Sequence, residues 1–321
     1  MRVRDVGEFG LIERIARLAQ PGEAAARWVA RGIGEDAAIL RARAGEDLVL
    51  TTDAMVEDVH FRWRSMPPRV LGRRLLAASL SDLAATGARA RGCLLSVQVP
   101  PALPVARLLG AVRGLVDDGR RLGCPLVGGN VARADRTSFS VTAAGSVASR
   151  RALSRSRARS GDRILVTGVL GRSALERARA ERRRGRIRSV PESRIAAGRA
   201  LGGLASVGAC IDVSDGLLAD LGHVLTASGV GADLDLGRVP RPRGFPQACL
   251  ELGLDPARLL LAGGEDYELL FTLRPRGPSG VTLARRLGAP VAQVGVVTPR
   301  GLRVRTASGW LQPRTSGWRH F

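Results

Sequence analysis

The chain of 321 residues contains no lysine, a single tyrosine and only 3% aromatic residues. Without lysine it cannot carry the phosphate-binding loop G-x-x-x-x-G-K-[ST]. So few aromatic side chains also leave little surface on which single-stranded nucleic acid could stack. All 50 basic residues are arginine and give a net charge of +21. Because they are scattered widely along the chain, we still expect no nucleic-acid partner.

Cysteine is scarce as well. Cys93, Cys124, Cys210 and Cys249 show no C-x-x-C spacing, and each lies among apolar residues. This pattern excludes a zinc site or a disulfide framework and predicts small core residues in a reducing compartment. No stretch approaches the ~18 uncharged apolar residues of a membrane span, and the N-terminus lacks the apolar core of a signal peptide. We therefore expect a cytoplasmic protein without a membrane partner.

Strand-like and helix-like stretches alternate through both halves of the chain, which predicts an α/β or α+β architecture. Apolar residues at helical spacing predict helices over Arg69–Ala85 and Val105–Leu122. The length favours two domains. An arginine- and serine-rich stretch from Ser149 to Ser160 is almost free of apolar residues. We therefore predict domains at residues 1–148 and 149–321.

The stretch from Ala209 to Leu221 organises the second half of the chain. A buried strand is predicted to end at Val213 and a helix to begin near Gly216, so Asp212, Ser214 and Asp215 fall on the turn between them. Backbone N–H groups at such a turn attract an anion, whereas the carboxylates require a cation. The turn therefore predicts a site for metal and phosphate. The alternative is that Ser214 or Asp215 simply caps the helix.

Other oxygen-bearing side chains lie at strand ends, in a glycine-rich turn and within the apolar helix Arg69–Ala85. Carboxylates and hydroxyls without cysteine or histidine suit Mg²⁺, which substrate phosphates usually help to bind. The set therefore indicates nucleotide phosphoryl transfer. Together with the turn, the candidate ligands are Asp36, Thr51, Thr52, Asp53, Asp82, Asp212 and Asp215.

Weaker signals accompany these ligands. A short buried strand is predicted over Pro125–Gly128, and it closes in Gly128-Gly129-Asn130, where paired glycines let the backbone approach a phosphate. Arg155 is a candidate phosphate clamp in an otherwise solvated arginine run. A lone histidine such as His60 is more often structural, although it follows Asp53 closely. The aromatic C-terminus with Trp318 either packs or closes over a ligand.

Seven motifs, in this order and spacing, resemble the thiamine-monophosphate kinase family over essentially the whole chain. They are Gly7-Glu-Phe, Gly32-Ile-Gly-Glu-Asp-Ala-Ala, Thr51-Thr-Asp, Val59-His-Phe, Leu80-Ser-Asp-Leu-Ala-Ala, Asp212-Val-Ser-Asp-Gly-Leu-x-x-Asp-Leu-Gly-His223 and Gly263-Gly-Glu-Asp-Tyr-Glu-Leu269. The resemblance implies a two-domain fold like that of aminoimidazole ribonucleotide synthetase. It also implies ATP-dependent phosphorylation of thiamine monophosphate with several Mg²⁺ ions, in a homodimer whose N-terminal domains pair.

The resemblance also implies roles for single residues. Metal ligands would be the seven candidates above together with Asn130. Gly129, Asn130, Arg155 and Ser214 would contact ATP. His60, Glu265 and Trp318 would contact the thiamine substrate. No general base is implied, because a phosphate monoester is largely dianionic near neutral pH.

One departure concerns Asn130, where family members commonly have aspartate. Asparagine keeps an oxygen ligand but lacks the negative charge, so one metal ion would bind more weakly or not at all. Two alternatives remain at this stage. One is another ATP-using enzyme of the same superfamily, and the other is a non-catalytic nucleotide-binding regulator.

Overall fold

A computed structural model describes residues 1–19, 29–31, 39–40, 43–182 and 185–313. The elements alternate as the sequence predicts. The helices are α1 (Val3–Ala19), α2 (Pro68–Ala85), α3 (Val105–Leu122), α4 (Arg172–Arg182), α5 (Ile195–Gly202), α6 (Leu217–Ser228), α7 (Phe245–Glu251), α8 (Pro256–Ala262) and α9 (Gly280–Leu287). The strands are β1 (Val29–Arg31), β2 (Ile39–Leu40), β3 (Glu46–Val56), β4 (Arg89–Val99), β5 (Leu126–Arg133), β6 (Ser138–Ala148), β7 (Arg163–Thr167), β8 (Val207–Val213), β9 (Gly231–Asp235), β10 (Glu268–Leu273), β11 (Val291–Thr298), β12 (Leu302–Thr306) and β13 (Gly309–Leu311).

The described residues divide into two compact units. The first comprises those of 1–83, 89–150 and 184–190, and the second those of 84–88, 151–183 and 191–321. The chain thus passes to the second unit after Arg150, whereas the sequence places the boundary after residue 148. The loop after α2 belongs to the second unit, where the Leu153 N–H donates to the Thr86 carbonyl at 2.9 Å. Hydrophobic periodicity does not predict that residues 84–88 belong to the second unit and residues 184–190 to the first.

The first unit is built on a four-stranded sheet in the order β3-β6-β4-β5. β4 and β5 are parallel, and the other neighbouring strands are antiparallel. The predicted helices α2 and α3 lie within a residue of their expected bounds. The apolar stripe of α2 is buried, as its spacing predicts; its members are Leu71, Leu75, Leu76, Leu80 and Leu83.

One prediction in this sheet is wrong. The sequence ends a short strand at Gly128, whereas β5 continues through Gly128-Gly129-Asn130 to Arg133. Gly129 pairs with Leu95 of β4, and a β-carbon on Gly129 would lie 2.0 Å from the Leu95 carbonyl oxygen. The close approach of β4 therefore accounts for this glycine without any phosphate.

The two faces of this sheet differ. Register pairs Thr52 with Thr142 and Asn130 with Ser96, and these residues share the outer face with exposed leucines. Leu48, Leu50 and Leu94 are 65%, 70% and 39% exposed. The neighbouring positions on the opposite face are half-buried on β3, at Val49 and Thr51, and buried on β4, at Cys93 and Leu95. Consecutive residues of β3 therefore serve opposite faces of the sheet.

The second unit contains a seven-stranded sheet in the order β13-β12-β9-β11-β7-β10-β8. β12 and β9 are parallel, and the remaining neighbours are antiparallel. A core that includes Ile211, Val213, Leu217, Leu221 and Phe245 packs α6, α7 and α8 against the sheet. β8 lies at one edge of the sheet, where an isolated parallel bridge pairs its Ala209 with Ser154.

All four cysteines are free and buried, which confirms their prediction as core residues. Among the described residues, no helix combines the length and apolar character that crossing a bilayer would need.

Candidate active site

The first cluster of predicted ligands lies where β3 faces α2. The Thr51 hydroxyl donates to Oδ2 of Asp82, and Asp53 hydrogen-bonds to Ser79 on the same helix. The Asp53 Oδ2 atom is buried and has no hydrogen-bond partner among the described residues. Burial, and secondarily the nearby Asp82 carboxylate, raise the pKa of Asp53 to about 6.

This cluster fits a divalent cation. A buried carboxylate oxygen without a partner is costly, and a second carboxylate beside it adds repulsion. A cation bound there would relieve both effects. The donors Thr51, Asp53 and Asp82 are all oxygen atoms, as Mg²⁺ prefers.

Two predicted ligands lie apart from this cluster. Thr52 follows Thr51 directly and therefore points to the outer face, where its hydroxyl lies 3.1 Å from that of Thr142. Asn130 is exposed on the same outer face. The structure thus brings Thr51, Asp53 and Asp82 together but leaves Thr52 and Asn130 on the other side of the sheet.

The second cluster occupies the turn between β8 and α6. Asp212 is 3% exposed at the end of β8, and Asp220, in the first turn of α6, is 2% exposed. Oδ2 of Asp220 accepts hydrogen bonds from the backbone N–H groups of Ser214, Asp215 and Gly216 at 3.1, 3.1 and 3.0 Å. The N–H groups of the turn therefore all donate to a carboxylate that belongs to the helix itself.

This arrangement corrects two predictions. The sequence assigns these N–H groups to a bound anion, but Asp220 accepts all three of them. The capping alternative is also wrong, because neither Ser214 nor Asp215 provides a side-chain cap to α6. Capping residues normally precede a helix, whereas Asp220 lies within it.

Burial, followed by the carboxylates of Asp212 and Asp215, raises the pKa of Asp220 to about 8. Ligand atoms of Asp215, Asp220 and His223 lie within 4.8 Å of one another. Sequence reasoning assigned no role to Asp220 or His223. Their place in the motif Asp212-Val-Ser-Asp-Gly-Leu-x-x-Asp-Leu-Gly-His223 was the signal that would have found them.

The segment Gly263–Tyr267, called here the acidic segment, lies against the same turn. The Glu265 N–H donates to the Ser214 carbonyl at 2.7 Å, and the Tyr267 N–H donates to the Val213 carbonyl at 2.8 Å. The Glu265 carboxylate lies 3.3 Å from the Arg177 guanidinium. The predicted substrate residue Glu265 therefore lies beside the turn that carries the predicted ligands Asp212 and Asp215.

Asp266 anchors the acidic segment to α4. Its two carboxylate oxygens accept from the N–H groups of Gly171 and Ser173 at 2.5 and 3.1 Å, and the Ser173 hydroxyl donates to the Glu265 carbonyl at 2.7 Å. A carboxylate at the N-terminus of a helix is favourable because it meets unpaired N–H groups and the positive end of the helix dipole.

The other predicted site residues lie elsewhere or are not described. His60 follows β3, and its Nδ1 accepts from the Val56 N–H at 3.1 Å. Arg155 is exposed, and its carbonyl accepts from the Ser228 hydroxyl at 2.9 Å. Asp36 and Trp318 lie outside the described residues.

Comparisons with known proteins bear on this geometry. Residues 34–147 match the family model "AIR synthase related protein, N-terminal domain". The chain is 36% identical to the thiamine-monophosphate kinase of Mycobacterium tuberculosis over 299 residues, covering 90% of this chain and 87% of that protein. This chain belongs to the thiamine-monophosphate kinase family.

Solved structures of thiamine-monophosphate kinases agree in fold. The enzyme of Stenotrophomonas maltophilia superposes with a TM-score of 0.78 at 35% identity, covering 93% of this chain and 96% of that one. The complex of AaThiL with AMPPCP and TMP superposes with a TM-score of 0.75 at 28% identity, covering 100% and 99% of the two chains. The fold predicted from the family resemblance is therefore confirmed.

The family assignment gives the first cluster a context. The matched region 34–147 spans all but the last residue of the sheet β3-β6-β4-β5. Thr51, Asp53 and Asp82 therefore lie in the region of the chain that matches the N-terminal domain of AIR synthase related proteins.

Proposed function

We propose that this chain transfers the terminal phosphoryl group of ATP to thiamine monophosphate, forming thiamine diphosphate. The observation that carries the proposal is the buried, unpartnered Asp53 carboxylate beside Asp82, in a chain whose relatives are named thiamine-monophosphate kinases. The structure of AaThiL with AMPPCP and TMP supports the choice of both ligands.

Donor and acceptor are both anions, so the main obstacle is their repulsion. Bound Mg²⁺ would neutralise phosphate charge and help to align the two groups. Asp53, Asp82 and Thr51 would hold Mg²⁺ in the first unit, and Asp212 and Asp215 in the second. The acceptor phosphate has a second pKa of ~6, so no side chain of this protein has to remove a proton.

Further roles follow from the family resemblance. We propose Asp36, Thr52 and Asn130 as additional metal ligands. Glu265 carries a negative charge suited to the cationic thiamine moiety, and it would contact the substrate together with His60 and Trp318. Gly129, Asn130, Arg155 and Ser214 would contact ATP. Arg155 offers a planar cation that suits a phosphate.

The decisive assay incubates the purified chain with ATP and saturating Mg²⁺. Thiamine monophosphate, thiamine and an aminoimidazole precursor are offered in parallel. We expect thiamine diphosphate from thiamine monophosphate alone. No product above background would refute the proposal, and turnover of only the aminoimidazole substrate would indicate another activity of the superfamily.

The Asn130→Asp substitution is expected to strengthen Mg²⁺ activation. Asn130 is exposed in the single chain, and asparagine and aspartate are nearly the same size, so the substitution should not disturb the fold. We expect the Mg²⁺ concentration for half-maximal activity to fall by roughly threefold to tenfold, since one added charge contributes on the order of 1 kcal/mol near the surface. A magnesium titration of the initial rate measures it. Ser308→Asp, in the exposed turn between β12 and β13, is the control, and an equal response there would contradict a specific role for position 130.

We also propose that the protein is a homodimer joined through its N-terminal units. The support is the outer face of the four-stranded sheet, where Leu48, Leu50 and Leu94 are exposed although apolar. Large exposed apolar side chains gathered on one face of a sheet often mark an interaction surface. Sedimentation equilibrium should give twice the chain mass of 33.9 kDa, and a monomer at micromolar concentration would contradict the proposal.

The domain of residues 1–148 would then bind metal and ATP and form the dimer contact. The domain of residues 149–321 would bind the substrate. We place the reaction in the cytoplasm, where ATP is available and buried thiols such as Cys93 stay reduced.

A further inference from the structure

A buried ion pair outside the predicted site residues joins Arg194 to Glu268, the first residue of β10. Both residues are only 6% exposed. Nε and Nη2 of Arg194 donate to the two carboxylate oxygens of Glu268 at 2.5 and 2.7 Å. This two-point geometry fixes the orientation of the carboxylate as well as its distance.

The end of β7 completes the pocket of this carboxylate. The Thr167 hydroxyl donates to Glu268 Oε2 at 2.6 Å and accepts from the Leu269 N–H at 2.9 Å. A β-carbon on Gly168, whose φ is 56°, would lie 1.9 Å from a Glu268 carboxylate oxygen, so a larger residue there would displace the carboxylate. Three separate parts of the chain therefore shape this one pocket.

The acidic segment ends immediately before Glu268. Its residues Glu265 and Tyr267 have φ angles of 65° and 52°, in the left-handed region. Residues other than glycine adopt this conformation rarely, and they keep it only where the surroundings impose it. On the β8 side the Tyr267 N–H is bound to the Val213 carbonyl. On the other side Tyr267 is followed directly by Glu268, whose carboxylate is held by Arg194 and Thr167.

Stability alone is a weak explanation for such a pair. Removing two charges from water costs about as much as their attraction returns, so apolar residues of similar size often stabilise as well. The pair does supply a fixed point, because it ties the start of β10 to the residue preceding α5 and to the end of β7.

We propose that Arg194 and Glu268 are positioning residues, whose ion pair holds the acidic segment in its left-handed conformation against the β8–α6 turn. Without the pair, Tyr267 relaxes and Glu265 moves away from the Ser214 carbonyl. The identity of the ligand that Glu265 meets rests on the proposed function, whereas the positioning itself does not.

Tyr267 offers a direct probe because it is the only tyrosine of the chain. Incorporating 3-fluorotyrosine into the full-length protein places a single ¹⁹F label in the acidic segment. The variant Arg194→Lys keeps the charge but loses the two-point fork. We expect its ¹⁹F resonance to broaden or split, because the segment then samples a second conformation.

Asp162→Asn is the matched control. Asp162 is buried, pairs with Arg274 at 2.5 Å and directly precedes β7, so this ion pair lies at the opposite end of the same strand. We expect the control to lower the melting temperature but to leave one sharp ¹⁹F resonance at the wild-type position.

Kinetics provide the second readout. In Arg194→Lys we expect the KM for thiamine monophosphate to rise at least about tenfold, with kcat within about threefold, since binding of the substrate is what the segment affects. Asp162→Asn should leave this KM unchanged. If Arg194→Lys does not fold, Glu268→Gln is measured in the same way.

An unchanged resonance and an unchanged KM in a folded variant would overturn the proposal. Equal changes in the Asp162→Asn control would overturn it as well, because the effect would then be general loss of structure. If the wild-type protein makes no thiamine diphosphate, the proposed function fails, but the ¹⁹F comparison still decides the positioning role.

Discussion

Replacing Asp53 by asparagine is expected to reduce phosphoryl transfer by at least roughly 1,000-fold, a loss typical of removing a charge that stabilises the transition state. Asparagine has nearly the same shape and keeps one oxygen, so the fold should persist. What disappears is the negative charge beside Asp82 that would hold Mg²⁺. Initial rates at saturating ATP, thiamine monophosphate and Mg²⁺ measure the effect.

The same substitution is expected to stabilise the metal-free protein. Burial and the Asp82 carboxylate raise the pKa of Asp53 from 3.8 to about 6. The folded state therefore disfavours the ionised form, and stability is lost as the pH rises from about 4 through about 6. We expect Asp53→Asn to gain roughly 1–3 kcal/mol at pH 8 and much less at pH 4.5. Urea unfolding in EDTA at both pH values measures this difference.

The control is Asp47→Asn on the same strand. Asp47 is exposed and accepts from the Ser149 hydroxyl and the Arg150 N–H, which lower the pKa of its carboxyl group. We expect this variant to keep its activity and to gain no stability. If the Asp53→Asn variant is active, or is less stable than the wild type at pH 8, Asp53 is not a metal ligand whose negative charge stays uncompensated in the metal-free protein.

Replacing Asp220 by alanine is expected to have the second-largest effect. The backbone N–H groups of Ser214, Asp215 and Gly216 would lose their common acceptor. We expect the free energy of unfolding to fall by roughly 2–4 kcal/mol, because buried donors left without an acceptor are costly. Activity should fall at least roughly 100-fold, since the turn no longer holds Asp212 and Asp215 in place.

Asparagine at position 220 keeps an acceptor oxygen and should restore most of the stability. It also tests the titration of the carboxyl group. The pKa of Asp220 is raised to about 8, so its ionisation destabilises the folded, metal-free protein as the pH rises from about 4 through about 8. In Asp220→Asn this contribution to the pH dependence should vanish, as unfolding curves at pH 5, 7 and 9 would show.

Asp235→Ala is the matched control for Asp220→Ala. Asp235, the last residue of β9, accepts from a single backbone N–H, that of Gly237 at 3.0 Å, and its carboxylate is otherwise paired with Arg238 and Arg305. We expect this variant to keep full activity. If Asp220→Ala is as active and as stable as this control, the turn does not depend on the buried carboxylate.

Local pattern predicts most of the elements because their causes are local. The leucine spacing of α2 and the apolar run of β8 follow from which side chains must avoid water, and both elements lie where expected. β5 was predicted too short because its extent depends on β4. Strand pairing with Leu95 carries the backbone through Gly129, where sequence alone indicates a turn.

The residues of the candidate site also fall into those that sequence motifs predict and those that only the fold distinguishes. The motifs marked Asp53, Asp82, Asp212 and Asp215, because carboxylates at strand ends and in an apolar helix require a partner. Sequence reasoning did not separate Thr51 from Thr52. The alternation of faces along β3 directs Thr51 to Asp82 and Thr52 to the outer face.

By itself, the sequence determined the family, the alternation of strands and helices, and the kinds of side chain that make up an oxygen-rich site. Only the tertiary structure decided how those side chains are held. Asp220 accepts three N–H groups of its own turn, and Arg194 reaches Glu268 across 74 positions of sequence. The reason is that hydrogen bonds and charge pairs depend on distance in space, whereas residue spacing describes only what lies along the chain.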